Sequence, residues 1–318
     1  MLSIVLANWN TQDLLRQCLA SLARSEAGRG AEVIVVDNAS ADGSAAMLRS
    51  EFPQVTVIEN AENVGFARAN NQGAATASGD LLLLLNTDTE APEGALEALV
   101  RFLADHPDVG IVGPRLVGAD GRAQNSCRTE PGLPNLILET TGLAAALPRS
   151  RFFGRPAMTW FDHWTTVDVD YVQGACLLIP RPLWDELGGF DEAFFFYAED
   201  ADLCRRARER GWRVVFFGDA EVVHYAGASA TKVGAKAAIE GFRSTLWFCR
   251  KHHGGPYAAA CRLVALLGQV ARLVVTGLGL PVLGMLGRGR SALDRLRTYW
   301  AVCVALAFGD MRPASRRW

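Results

Sequence analysis

Apolar runs and amphipathic stretches take turns along the N-terminal part of the chain. Residues 2–7 form a short apolar run that reads as a strand; after Asn8-Trp9-Asn10-Thr11, Leu14, Leu15, Cys18, Leu19 and Leu22 recur on one face of a helix. The pattern repeats with a strand at 32–36, a loop of turn and capping residues at 37–44, a helix at about 44–52, a strand at 55–59 and a helix at about 65–77. It then reaches Gly79-Asp80, the leucine run 81–85, and the polar Asn86-Thr87-Asp88-Thr89-Glu90. A run this short and this apolar suits a strand buried on both faces, as in a parallel sheet. Strand and helix alternating across short connections predict an α/β fold with a doubly wound, mostly parallel sheet and right-handed crossovers.

Beyond residue 90 the pattern loosens. A helix at about 94–104 and a strand at 109–112 precede an irregular stretch, 131–164, with prolines at 131, 134, 148 and 156 and aromatics at 152, 153, 160, 161 and 164. Long irregular segments in compact domains are often substrate-binding loops, and this one is expected to be such a loop. Order returns at 167–180, read as one strand rejoining the sheet. Gly188-Gly189-Phe190-Asp191 then turns the chain into the aromatic residues 194–197 and the acids Glu199, Asp200 and Asp202, followed by Arg205, Arg206, Arg208 and Gly211. Acids first and arginines last describe a helix aligned with its own dipole. A strand at 212–217 leads through Val222 and Val223 to His224 and on to residues 225–229.

Length and composition fit one large α/β domain with an appendage, since 318 residues that are 50% hydrophobic and 21% charged can bury a sizeable core. The formal charge of −2 hides an asymmetry: residues 257–318 hold nine Arg, no Lys and two Asp, net +7, which leaves −9 for residues 1–256. The expected division is a catalytic body, 1–256, and a basic, apolar helical extension, 257–318. An acidic body argues against nucleic acid as the partner, and a basic apolar tail suggests anionic lipid. In that tail Arg262, Gln269 and Arg272 interrupt the apolar stretch, whose longest clean run, 273–287, is 15 residues against the roughly 20 that a single span needs. Arg288, Arg290, Arg295 and Arg297 follow, then a second apolar patch from Tyr299 and Trp300. Interfacial helices on a membrane surface are expected, with a helical cap or dimer interface as the alternative. Seven cysteines without C-x-x-C spacing suit a reducing compartment, and an apolar strand at the very start with no charged leader gives no sign of a signal peptide.

The candidate chemistry lies where strands end. Ligands of open α/β sheets sit beyond the carboxyl ends of the strands, which places Asn86 and Asp88 at the rim of a crevice suited to a phosphate-bearing ligand and its cation. The same residues also suit a plain helix cap. Asp200 follows an aromatic wall and stands at a helix start, where a partly desolvated carboxylate can serve as a general base; Asp202 equally suits a helix-start carboxylate. His224 alone is as compatible with a structural role as with a ligand role. No G-x-G-x-x-G follows the first strand and no G-x-x-x-x-G-K occurs, which counts against an ordinary dinucleotide dehydrogenase and a P-loop enzyme.

Five segments, taken together and in order, carry a family resemblance: Ser3-Ile-Val-Leu-Ala-Asn-Trp-Asn10, Val36-Asp-Asn-Ala-Ser-Ala-Asp-Gly43, Asn63-Val-Gly-Phe-Ala-Arg-Ala-Asn-Asn71, Leu84-Leu-Asn-Thr-Asp88, and Gly188-Gly-Phe-Asp191 followed by Glu199-Asp200. Over about residues 2–230 the chain resembles the family 2 inverting glycosyltransferases of GT-A fold, most closely the rhamnosyltransferase-like branch. The resemblance implies that Asp37 accepts from a uracil or thymine ring, that Asn63, Arg68 and Asn70 lie beside the nucleotide and donor, and that Asn86-Thr87-Asp88 replaces an Asp-x-Asp motif. It further implies that Asp88 and His224 hold a divalent cation, magnesium or manganese, with Asp200 as catalytic base and Glu199 as its neighbour. Asn86 stands where the family often has aspartate, so cation affinity without nucleotide is expected to be low.

The implied reaction is metal-dependent transfer of a sugar, rhamnose first, from a dTDP- or UDP-sugar to a glycan or polyprenyl-linked acceptor with inversion, in cell-surface polysaccharide synthesis. It is placed in the cytoplasm at the inner face of the plasma membrane. The alternative is a nucleotide-binding scaffold that has kept the fold and lost turnover.

Overall fold

The computed structural model describes residues 1–225, 234–285 and 289–311; Arg288, the end of the apolar run 273–287 and residues 226–229 lie outside them. The first half runs β1 (Leu2–Asn8), α1 (Gln12–Leu22), α2 (Glu26–Arg29), β2 (Glu32–Asp37), α3 (Ser44–Glu51), β3 (Thr56–Glu59), α4 (Phe66–Thr76), β4 (Leu81–Leu85), β5 (Thr89–Glu90), α5 (Ala95–Asp105) and β6 (Val109–Val117). Then follow β7 (Cys127–Arg128), α6 (Leu133–Thr140), α7 (Leu143–Ala146), β8 (Val167–Asp168), β9 (Tyr171–Val172), β10 (Cys176–Pro180), α8 (Arg181–Leu187), α9 (Glu199–Glu209) and β11 (Arg213–His224). Three helices close the described chain: α10 (Ala235–His253), α11 (Gly255–Met285) and α12 (Gly289–Phe308).

The main sheet has the order β3-β2-β1-β4-β10-β6-β11-β5, with β8 added on β11. β3, β2, β1 and β4 are mutually parallel, as their alternation with helices predicts; β10 enters antiparallel between β4 and β6, and β11 returns parallel to β6. Leu82, Leu83, Leu84 and Leu85 are buried alternately into the two cores that flank the sheet. Each fully buried leucine side chain contributes about 1.5–3 kcal/mol of transfer free energy, which explains why so short a run forms a central strand.

Two expectations are corrected. The stretch 167–180 is three short strands, not one, because β8 pairs with β11, β9 pairs with β7 in a separate two-stranded sheet, and only β10 joins the centre. The stretch 131–164 is not irregular throughout: α6 and α7 form within it, with Pro134 in the first turn of α6, where the missing N–H is not needed.

The C-terminal helices build a third core, in which Leu136 of α6 and Leu246 and Cys249 of α10 meet Cys261, Ala265, Val302 and Leu306. Helix α11 is 31 residues long and, over Gly255–Pro281, has the length and composition to cross a membrane. Counting uninterrupted apolar residues misses this because two arginines face neighbouring helix ends. Arg262 donates to Leu306 O at 2.6 Å and Gly309 O at 3.0 Å, and Arg272 donates to Glu139 O at 2.7 Å, so both cap the open carbonyls of α12 and α6.

Candidate active site

A cleft of about 710 Å3 opens beyond the carboxyl ends of β1 and β4. Asn86, Thr87 and Asp88 line it on one side, Gly174 and Asp200 on another, and Leu136, Phe242 and Tyr197 form an apolar wall. Beneath it a buried polar chain ties three strand ends together. Asn8 Nδ2 donates to Asp37 Oδ1 at 2.7 Å, Thr11 Oγ1 donates to Asn8 Oδ1 at 2.8 Å, and the Thr11 and Thr87 hydroxyls lie 2.8 Å apart.

The pairing of β11 with β5 sets His224 opposite Thr89 and so beside Asp88, with Nε2 3.5 Å from Asp88 Oδ1. Gln124 fixes the imidazole: its amide NH2 donates to His224 O at 2.8 Å, which turns its carbonyl toward Nδ1, also at 2.8 Å. Nδ1 therefore carries the proton, and the Nε2 lone pair is left for Asp88's side of the cleft. Among the described residues no three His, Cys, Asp or Glu side chains cluster to hold a metal ion. One carboxylate and one oriented imidazole, with Asn86 on the same rim, fit a cation whose remaining ligands come from phosphate oxygens and water.

Asp200 arrives through an abrupt turn. Tyr197 (φ 74°) and Ala198 (φ 64°) are both left-handed without being glycine, a conformation that costs about 1–2 kcal/mol per residue. The aromatic segment before them is anchored to α4: Phe66 N donates to Phe195 O at 2.8 Å, and at Gly65 (φ +89°) a Cβ would lie 2.5 Å from that same oxygen. Asp200 is half-buried, and each carboxylate oxygen accepts a backbone N–H, Oδ2 from Gly174 at 2.9 Å and Oδ1 from Ala201 at 2.7 Å. Burial pushes its pKa above the usual carboxylate range, against those two amides and the charge of Arg128. Glu199 is buried behind it with Oε2 lacking a partner; burial, then the charge of Asp200, raises its pKa well above normal.

The cleft thus brings together Asn63, Asn86, Asp88, Asp200 and His224. Three expected donor contacts are not brought to it. Arg68 is exposed on the outer face of α4 beside Glu192, at 3.7 Å; Asn70 is buried and bonds Phe66 O in its own helix; Asp37 is buried beneath the cleft, its second oxygen taken by Ser40 N at 3.0 Å. Trp9 and Asn38, just past the ends of β1 and β2, do line the cleft. Sequence reading also passed over Gln124, which lies 100 residues from the histidine it orients, and Arg128, whose short strand has no periodic signal.

Comparison with known proteins identifies the family and the fold. Residues 3–163 match the model of Glycosyl transferase family 2, and residues 140–310 match that of Glycosyl transferase family group 2. The N-acetylglucosaminyl-diphospho-decaprenol L-rhamnosyltransferase of Mycobacterium tuberculosis is 28% identical over 284 residues, covering 82% of this chain and 88% of that protein. The low-salt glycan biosynthesis hexosyltransferase of Haloferax volcanii is 25% identical, covering 70% of this chain and 65% of its own. In fold, the mannosyltransferase PcManGT from Pyrobaculum calidifontis, solved with GDP-Man and Mn2+, superposes with a TM-score of 0.59 at 20% identity over 96% of this chain and 87% of that one. TarS of S. aureus gives a TM-score of 0.51 at 16% identity over 83% of this chain and 42% of its own. The chain belongs to glycosyl transferase family 2, in its rhamnosyltransferase-like branch, and is a glycosyltransferase of GT-A fold.

Proposed function

We propose that the protein transfers a sugar, rhamnose in the first instance, from a pyrimidine-nucleotide donor to a lipid-linked acceptor with inversion at the anomeric carbon. The observation that carries this reading is Asp200, a half-buried carboxylate opening on the same cleft as Asp88 and His224. Rhamnose and a lipid-linked acceptor are suggested by the name of the Mycobacterium tuberculosis relative.

In the proposed reaction the acceptor hydroxyl oxygen bonds to the anomeric carbon from the Asp200 side while the bond to the donor phosphate oxygen breaks. The electron pair leaves on the nucleoside diphosphate, and the hydroxyl proton passes to Asp200. A raised pKa makes Asp200 a stronger base than an exposed carboxylate, and its two amide donors keep it oriented. Asp88 and His224 would hold a divalent cation, which when bound neutralises charge on the leaving diphosphate. Trp9, Asn38 and Asn63 are offered as the nucleotide end, with Asp37 supporting them from below.

Residues 1–256 are proposed as the catalytic unit, and 257–318 as an extension resting on the cytoplasmic face of a membrane. The outer side of α11 supports this, since Leu263, Leu267, Val274, Val275 and Leu278 are exposed on it. Thermal unfolding with UDP, dTDP, GDP and ADP, each with and without manganese, tests the donor half. A cation-dependent rise in Tm with UDP or dTDP is expected, and a rise with GDP or ADP alone overturns the pyrimidine assignment. The anomeric configuration of the product, read by NMR, tests inversion; retention would remove Asp200 from the role of base.

A further inference from the structure

Arg128 is the cation that the reaction above does not use. Its strand β7 pairs with β9 so that Arg128 stands opposite Tyr171, and both line the cleft. The side chain lines the cleft, its Nε is buried without a partner, and no carboxylate among the described residues comes within 4.0 Å of it. Tyr171 lies three residues before Gly174, whose amide holds Asp200, and the charge of Arg128 lowers the pKa of Asp200. The charges of Glu139 and Asp200 act on the guanidinium without an ion-pair contact, which leaves its planar fork open to a phosphate.

Two anions enter the reaction, the donor diphosphate and any phosphate on the acceptor. The neighbours of Arg128 separate them. The chain after β7 runs directly into α6, and Pro131, Asn135 and Leu136, which follow Arg128 in sequence, line the same cleft. Leu136 and Phe242 belong both to this wall and to the core shared with α11 and α12. The apolar wall beside Arg128 is therefore the inner side of the helical layer whose outer side exposes Leu263, Leu267 and Val274. An anion next to the base, followed by apolar surface leading to the outside, matches an amphiphile with a phosphate at the junction of sugar and tail.

Resting on the acceptor class proposed above, we infer that Arg128, with Tyr171, binds the phosphate that joins the acceptor sugar to its lipid, and so selects phosphate-linked lipid acceptors over neutral ones. Arg128 is a specificity residue in this assignment, and the proton still goes to Asp200.

The test uses the full chain with Arg128→Gln and Arg128→Lys. Binding is measured first, without divalent cation and without donor, using geranyl diphosphate and inorganic pyrophosphate as probes. The wild type is expected to bind geranyl diphosphate more tightly than pyrophosphate, and Arg128→Gln to weaken it roughly 10- to 100-fold, the factor that a hydrogen bond to a charged group supplies, with partial recovery in Arg128→Lys. Equal binding by wild type and Arg128→Gln overturns the assignment whether or not turnover is found. Equal affinity for both probes overturns its lipid half. Transfer is then compared on a short prenyl-diphosphate-linked N-acetylglucosamine and on octyl N-acetylglucosaminide. Arg128→Gln should raise the acceptor KM on the first by a much larger factor than on the second, and by a much larger factor than the donor KM. A raised donor KM with unchanged acceptor preference would assign Arg128 to the donor diphosphate instead. Binding that depends on Arg128 without transfer to either acceptor would keep the anion site and overturn the acceptor reading on which it rests.

Discussion

Asp200 and Asp202 stand two residues apart in the first turn of α9, and their surroundings are opposite. Asp200 looks into the cleft and is met only by two backbone amides, with no cation in contact. Asp202, fully buried, looks toward α10 and is saturated: Arg206 Nε at 2.7 Å and Lys251 Nζ at 2.7 Å pair with it, and His252 Nε2 lies at 2.8 Å. Burial drives both pKa values up; at Asp200 it wins, whereas at Asp202 the His252 hydrogen bond and the Arg206 and Lys251 charges overcome it and hold the carboxyl at about 2. About 200° of helix rotation separates a carboxylate kept available from one consumed in holding α10 to the catalytic helix.

The largest effect should come from breaking the available member. Asp200→Asn is expected to cut transfer by about 10^2- to 10^4-fold, with donor binding by thermal shift unchanged. Turnover near that of wild type would end its assignment as base. Asp202→Asn should do the reverse: a loss of about 2 kcal/mol in urea unfolding at pH 7, from the shift between 3.8 and about 2, with transfer per folded molecule nearly retained.

Acid titration sharpens the contrast through its sign. The folded pKa of Asp202 lies below the unfolded value, so its contribution is complete above about pH 4 and is lost as pH falls through about 2. Glu199, behind Asp200, is shifted the other way, so its ionisation opposes folding. The stability of wild type relative to Glu199→Gln should fall as pH rises from the unfolded carboxyl range, about 4.3, toward neutrality, and a difference independent of pH would show that Glu199 does not titrate there. The smallest effect concerns the turn that delivers both acids. Ala198→Gly should raise stability by about 1 kcal/mol, since φ 64° is free to glycine, and a fall in Tm would mean that the Ala198 methyl packing outweighs the strain.

What the sequence makes legible follows from how local each signal is. The five leucines, the acids and arginines of α9 and the polar ends of β4 and β11 are local patterns, and they located the sheet centre and the two sides of the cleft. Asp200 is set apart in the sequence by the aromatic run before it, whereas the partners that consume Asp202 come from α10, some 50 residues later. Gln124 on His224 and Arg128 on Tyr171 are likewise long-range meetings without periodicity. Arg68 and Asn70 show a different limit: motif spacing places a residue on a helix and leaves open which face it occupies, and α4 turns Arg68 outward and Asn70 inward.

The two arginines that cap helix ends also constrain what α11 can do at a bilayer. Drawing it out as a span would leave two guanidiniums in hydrocarbon and take the Arg262 donor from the carbonyls of Leu306 and Gly309, and burying even one such charge unpaired costs several kcal/mol. The contact that avoids this loss is sideways. Laid flat, α11 would act as a keel that sets the height and tilt of the cleft above the lipid, and the depth at which an acceptor sugar must emerge to be reached would be written into the helix's orientation.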